Sequence, residues 1–234
     1  MLSCGRKKIA TRNYYFPYAT FFESTTYKYV DSKDSSKVLY WNFNTTVENS
    51  DTVFSTGIYN KELVLVSIFA NKIGKEEVEL SAMYVNLGRS DTLYKCEVKS
   101  GEVFNWKVDP KIALFVSYAI SNKDKTQSEE VVTERSFEEK KEIASYGGKD
   151  YECLVVKEKT LINHIVETRT KTEEQERNSF FASGIGLIQF ETFNADGSNV
   201  MFILNNILTK KEWELMIQEN MQSLESSKEQ VITQ

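Results

Sequence analysis

Histidine is nearly absent from this sequence: among 234 residues only His164 carries an imidazole. That excludes every site needing two imidazoles, including the His-Glu-x-x-His zinc helix and most His-rich metal sites. Glycine and proline are also scarce. Ten and two residues respectively, they make up about 5% of the chain against roughly 12% in an average protein. So little glycine leaves little material for phosphate-cradling loops. Cationic side chains are in deficit, 29 against 34 acidic ones, for a formal net charge of −5. A dedicated nucleic-acid partner is therefore not expected, because neutralising phosphates needs a Lys/Arg surplus. No apolar run approaches the roughly 18 residues of a membrane-spanning helix. The longest, residues 63–70 (LVLVSIFA), has the length of a strand.

What the chain has is alternation. Residues 27–30, 38–44, 54–59, 63–70, 76–85, 92–98 and 102–108 carry the two-residue period of half-buried strands. The same style returns at 112–120, 151–160, 161–172, 176–182, 187–193 and 199–208. Residues 121–130 read as a charged loop, and 131–144 stay open between a strand at 131–137 and a charged edge. Gly74, Gly88, Gly101, Gly147, Gly148, Gly184 and Gly197 fall in predicted turns, and Gly186 closes one of them. Short strands at a spacing of roughly 8–12 residues predict an antiparallel sheet or barrel.

The C-terminus changes period. Thr209-Lys210-Lys211-Glu212 fits a capping box, and Trp213, Met216, Ile217, Met221 and Leu224 then recur every three or four residues. This predicts a helix over 209–225 whose stripe packs on the sheet, or alternatively binds a partner, with 226–234 as a frayed tail. The expected organisation is an N-terminal tether at 1–13, a β-rich half at 14–110, a second at 111–208, then the helix and tail. The fold class is mainly β: an antiparallel curved sheet or half-barrel, or two packed β-rich halves, with one C-terminal amphipathic helix.

Leu2-Ser3-Cys4 looks like the end of a bacterial lipoprotein signal, although the basic and apolar segments that precede such a signal are missing. Either Cys4 bears thioether-linked acyl chains, with residues 5–13 as a basic tether near anionic headgroups, or it is an ordinary residue near a chain end. Residues 146–156 (YGGKDYECLVV) and 179–191 (SFFASGIGLIQFE) resemble two segments of the TapB-like bacterial domains of unknown function. Phe16-Pro17, Tyr27-Lys28-Tyr29 and Trp106 are similar to that family's opening and a later Trp, except that an expected Gly is missing. The resemblance implies a curved antiparallel sheet, analogous to half-barrel lipoprotein carriers, in an envelope protein. It carries over no catalytic residue.

Candidate chemistry is thin. His164 sits mid-strand; a dyad with Cys153 or a Ser has no spacing to support it, and a structural histidine is the simpler reading. Cys96 and Cys153 either pair or serve as small buried hydrophobes. Glu129-Glu130, Glu138-Glu139 and Glu173-Glu174 read as solvated runs rather than acid/base pairs. Gly184-Ile185-Gly186 lacks the third glycine and the following helix of a dinucleotide site. No catalytic, metal or cofactor residue is assigned. Aromatic crowding remains: Tyr14, Tyr15, Phe16, Tyr18, Phe21, Phe22, Tyr27 and Tyr29, then Tyr40, Trp41 and Phe43. These rings either pack across strands or wall an apolar groove for a lipid, acyl chain or peptide. The expected function is a non-enzymatic, membrane-anchored binding or scaffold module on the periplasmic side of a bacterial envelope, holding an apolar ligand. The alternatives are an envelope-complex component that docks a partner protein by a strand edge or the helix, and a hydrolase of unfamiliar type.

Overall fold

In the computed structural model, which describes residues 8–86, 92–121 and 127–232, alternation becomes sixteen strands and one long helix. The first half holds β1 (Ile9–Ala10), β2 (Thr25–Asp31), β3 (Val38–Glu48), β4 (Asp51–Tyr59), β5 (Leu65–Ile73), β6 (Glu77–Asn86), β7 (Leu93–Lys95), β8 (Glu97–Asn105) and β9 (Lys107–Val108). The second holds β10 (Leu114–Ser121), β11 (Gln127–Phe137), β12 (Glu142–Tyr146), β13 (Lys149–Val166), β14 (Arg169–Ala182), β15 (Gly186–Phe193) and β16 (Asn199–Leu208), before α1 (Lys210–Ile232).

Each long strand pairs antiparallel with the next long strand along the chain. The last pairs with the first, β16 with β2, through Ile203↔Val30 and Ile207↔Tyr27. β11 pairs directly with β13 from Gln127↔Val166 to Phe137↔Val156. The circuit β2-β3-β4-β5-β6-β8-β10-β11-β13-β14-β15-β16 therefore closes into a 12-stranded up-and-down barrel. The half-barrel and the pair of packed halves expected from the sequence are both corrected by this closure. Residues 14–110 and 111–208 supply staves to one wall, and closure pairs every stave of that circuit on both sides, leaving the short β7 and β12 as edges among the described residues.

Three further sequence readings change. Of the charged loop expected at 121–130, residues 127–130 belong to β11 and residues 122–126 lie outside the described residues. The stretches expected at 151–160, 161–172 and 176–182 are two long strands, β13 and β14, joined by a two-residue turn in which Glu167 takes φ 54°. Gly101 lies inside β8 rather than in a turn. A Cβ there would sit 2.6 Å from the Leu80 carbonyl oxygen, so the glycine permits a close backbone approach where the β6–β8 register slips.

The lumen is apolar and aromatic. Tyr27, Tyr29, Phe43 and Phe54 are all but inaccessible, and their rings meet across neighbouring strands. The outer wall carries ion pairs such as Lys72–Asp51, Lys99–Glu130, Lys157–Glu138 and Lys159–Glu174. This is the reverse of a porin-type barrel, whose outer band is apolar. Among the described residues no helix is long and apolar enough to cross a membrane.

One end of the barrel is closed by the chain's own N-terminal segment. β1 pairs with β9, and the Thr11 amide donates to the Trp106 carbonyl. The Gly184 amide donates to the Asn13 carbonyl and the Thr45 amide to the Phe21 carbonyl, while the Thr45 hydroxyl donates to Tyr18 O at 2.6 Å. Residues 9–13 are thus bonded into the fold; residues 1–7, Cys4 included, lie outside the described residues. The stitched segment drives Tyr15, Phe16 and Phe21 into the lumen. Gly186 makes room for it: at φ 93°, a Cβ there would meet the Phe16 ring at 2.7 Å.

The helix packs on the outside. Its capping box forms as read: the Thr209 amide donates to Glu212 Oε2 at 2.7 Å, and the Glu212 amide donates to the Thr209 hydroxyl at 3.4 Å. Trp213 is buried against Tyr40 and Tyr59, with ring centroids 5.6 and 5.1 Å away. The Asn220 side chain donates to the Glu62 carbonyl. The stripe packs on the sheet at its N-terminal end, through buried Trp213 with Met216 and Ile217 half-buried, while Met221 is exposed; the helix runs on to Ile232 through much of the stretch read as a tail. Trp213→Ala should release it: limited proteolysis is expected to clip residues after 209 at least tenfold faster, while the barrel melts almost unchanged, because helices at a domain's margin open locally. Concerted loss of the barrel in this variant would contradict that picture.

A candidate ligand site in the barrel lumen

The lumen holds a row of charge that register creates. Arg135 on β11 lies directly opposite Glu158 on β13, and Glu158 lies directly opposite Arg177 on β14. All three point inward. Arg135 Nη2 meets Glu158 Oε1 at 2.6 Å, and Arg135 Nη1 donates to the Val103 carbonyl at 2.8 Å. Arg177 Nε lies 3.5 Å from Glu158 Oε2 and donates to the Ser179 hydroxyl at 3.1 Å; that hydroxyl in turn faces Glu158. The Arg177 guanidinium also lies over the rings of Phe190, 4.1 Å from its centroid, and Trp41, 5.6 Å away.

Burial pushes the Glu158 pKa upward. The two guanidiniums and the hydrogen bonds from Arg135 and Ser179 outweigh burial and hold the carboxyl below its usual range. Arg177 goes the other way: burial lowers its pKa, and the attraction of Glu158 does not restore it. The row therefore carries two positive charges and one negative in a low-dielectric interior.

Beside it lies a cavity of about 180 Å³. Arg135, Glu158, Arg177 and Ser179 form its charged wall, Phe54, Phe69, Leu80, Phe104 and Val116 line the opposite side together with buried Thr56 and Asn71, and Tyr15 and Phe16 of the N-terminal plug complete it. Although Glu158 is buried, 26% of the Arg177 side chain remains accessible, and Arg177 is part of the cavity wall. An apolar cavity of about 150 Å³ holds one benzene, so this one has room for a single ring or a short chain.

Two solved structures resemble the chain over most of its length. One, described as "a putative lipoprotein from Parabacteroides distasonis", matches with a TM-score of 0.54 and 15% identity over 82% of this chain and 97% of the other. The second, described as "a putative exported protein with YmcC-like fold" from Bacteroides fragilis, gives 0.53 and 13% over 83% and 99%. The chain shares their fold. No family model and no curated protein matches it. One of the two is described with a YmcC-like fold, and neither description carries the TapB-like name.

The cysteines, His164 and the carboxylate runs singled out in the sequence are not part of the lumen's charged row. Cys96 and Cys153 are free and buried in separate apolar clusters, so they form no disulfide; burial raises both thiols to about 11. Cys153 and His164 share β13 eleven residues apart, about 36 Å along a strand, which rules out a dyad between them. His164 Nδ1 contacts Glu129 at 3.0 Å, and its Nε2 lies 3.6 Å from Glu173. Two of the three carboxylate runs are divided by strand alternation: Glu129 and Glu173 turn to His164, while Glu130 and Glu174 pair outward with Lys99 and Lys159; Glu138-Glu139 follows β11, with Glu138 paired to Lys157. Among the described residues no cluster is placed to hold a metal ion. Of the aromatic lead, cross-strand packing is seen, and Tyr15, Phe16 and Trp41 also line the cavity.

Arg135, Glu158, Arg177 and Ser179 were missed. One signal was available. Arg135 shares the parity of Val131 and Phe137, and Glu158 that of Leu154 and Val156, so each interrupts the apolar face of its strand.

Proposed function

We propose that the chain is a non-enzymatic binding module of a bacterial cell envelope, held at the membrane by acyl chains on Cys4 and facing the periplasm, whose lumen takes a small apolar ligand. The observation that carries this reading is the cavity beside a buried charged row: ligand sites combine an apolar wall with a few fixed polar groups. The fold neighbours described as a lipoprotein and an exported protein support the address. A space of about 180 Å³ favours a single ring or a short chain over a whole lipid. The test uses full-length protein, delipidated, and toluene observed by saturation-transfer NMR. Toluene should bind wild type. It should fail to bind Val116→Phe, which places a ring in the cavity, with the circular dichroism of the barrel retained. Binding that survives the filled lumen would place the site elsewhere.

A further inference from the structure

The lumen's charge balance says more than its shape. Arg135 is engaged at both terminal nitrogens, by Glu158 and by the Val103 carbonyl. Arg177 is not. Its Nε faces Ser179 and Glu158, and among the described residues its two terminal nitrogens donate to no protein atom. Those two groups are a parallel pair of N–H donors on a planar fork, the geometry that matches a carboxylate. Phe190 and Trp41 lie beside the guanidinium and restrict its orientation, so it is pre-organised rather than flexible.

We propose that the lumen binds a small monoanionic amphiphile, an aryl or short-chain carboxylate, with its carboxylate on the terminal nitrogens of Arg177 and its ring or chain among Phe54, Phe69, Leu80, Phe104 and Val116. This rests on the lumen-binding reading and specifies its ligand class. The charge count selects a monoanion: two guanidiniums and one carboxylate leave one positive charge to be matched. A dianion would leave a buried negative charge in excess, which costs desolvation without a partner. A neutral ring would fill the apolar side and leave Arg177 as it is. The lowered Arg177 pKa has the same cause, a partly desolvated cation that Glu158 compensates only in part. In size, a space of about 180 Å³ matches a single ring or a short chain.

The experiment is calorimetric titration of delipidated full-length protein at pH 7 with benzoate and with its neutral isostere benzamide. Benzoate is expected to bind at least tenfold more tightly. In Arg177→Met that preference should vanish while benzamide binds as before; Arg177→Lys, which keeps the charge and loses the fork, should retain only part of it. Equal affinities in wild type, or a preference that persists in Arg177→Met, overturn the carboxylate assignment and leave the lumen reading standing. Failure of both compounds to bind wild type overturns both. Because the isostere comparison is made on wild-type protein, it decides the question even if Arg177→Met does not fold.

Discussion

Glu158→Gln should destabilise the barrel by about 3–5 kcal/mol, because removing one member of a buried ion network leaves the others charged and uncompensated. Glu158 is the only carboxylate in direct contact with Arg135 and Arg177 among the described residues, and only 8% of it is accessible, so solvent does little to screen the loss. In a chain of this size such a change corresponds to a fall in melting temperature of roughly 6–20 °C. The sign of the pH dependence follows from the depressed Glu158 pKa. Its stabilisation is fully present above the unfolded carboxylate's value, about 4.3, and is lost as pH falls through the lower folded value. The gap between wild type and Glu158→Gln should therefore be constant from neutral pH down to about pH 5 and narrow only in stronger acid. Thermal melts of the two proteins across that range read it directly. A gap under about 1 kcal/mol at pH 7 would mean that the row is solvated and not the closed network described here. Replacing all three charges together with Met and Leu is expected to be neutral or stabilising, and it separates the row's role in ligand choice from any role in holding the barrel.

The sequence shows the strands because their signal is local. Along β3, Leu39, Trp41 and Phe43 face the lumen while Tyr40 and Asn42 face out, and this period is visible without any partner strand. Closure is not visible in that way. It depends on β16 reaching β2 across most of the chain, and no property of Ile203 announces that Val30 lies opposite. The β13–β14 turn is hidden for a different reason. Glu167 adopts a left-handed conformation where glycine or asparagine is usual, so the turn lacks its customary residues. Gly101 misleads in the opposite sense, being a glycine that serves a bulge inside a strand. The candidate site combines both difficulties. Arg177 looks like one more charged residue in a chain that is 27% charged, Arg135 and Glu158 show only as breaks in an apolar face, and the register of three strands is what makes them a row.

Phe16→Ala tests the other half of the site, the plug. The Phe16 ring touches Tyr15, Tyr27, Trp41, Phe43, Phe54 and Phe181, so it bridges the N-terminal segment and both sides of the barrel. Truncating a buried Phe costs about 3–5 kcal/mol through lost contacts and the void left behind. Here the void joins an existing cavity, since Phe16 lines it, so the neighbours have little to collapse onto. A loss near the upper end of that range is expected in chemical denaturation at pH 7. The same change enlarges the lumen by about one ring. A two-ring aromatic carboxylate such as 2-naphthoate, too large for the wild-type space, should bind Phe16→Ala better than benzoate does, whereas wild type should prefer benzoate. That inversion cannot come from destabilisation alone, which would weaken both ligands. If Phe16→Ala is destabilised but keeps the wild-type order of affinities, the plug supports the barrel without bounding the site. If it is neither destabilised nor altered in preference, the segment does not occupy the lumen. The cavity's size is thus set by a residue of the N-terminal segment and its charge by strands of the C-terminal half, so the site exists only because the two halves close on one another.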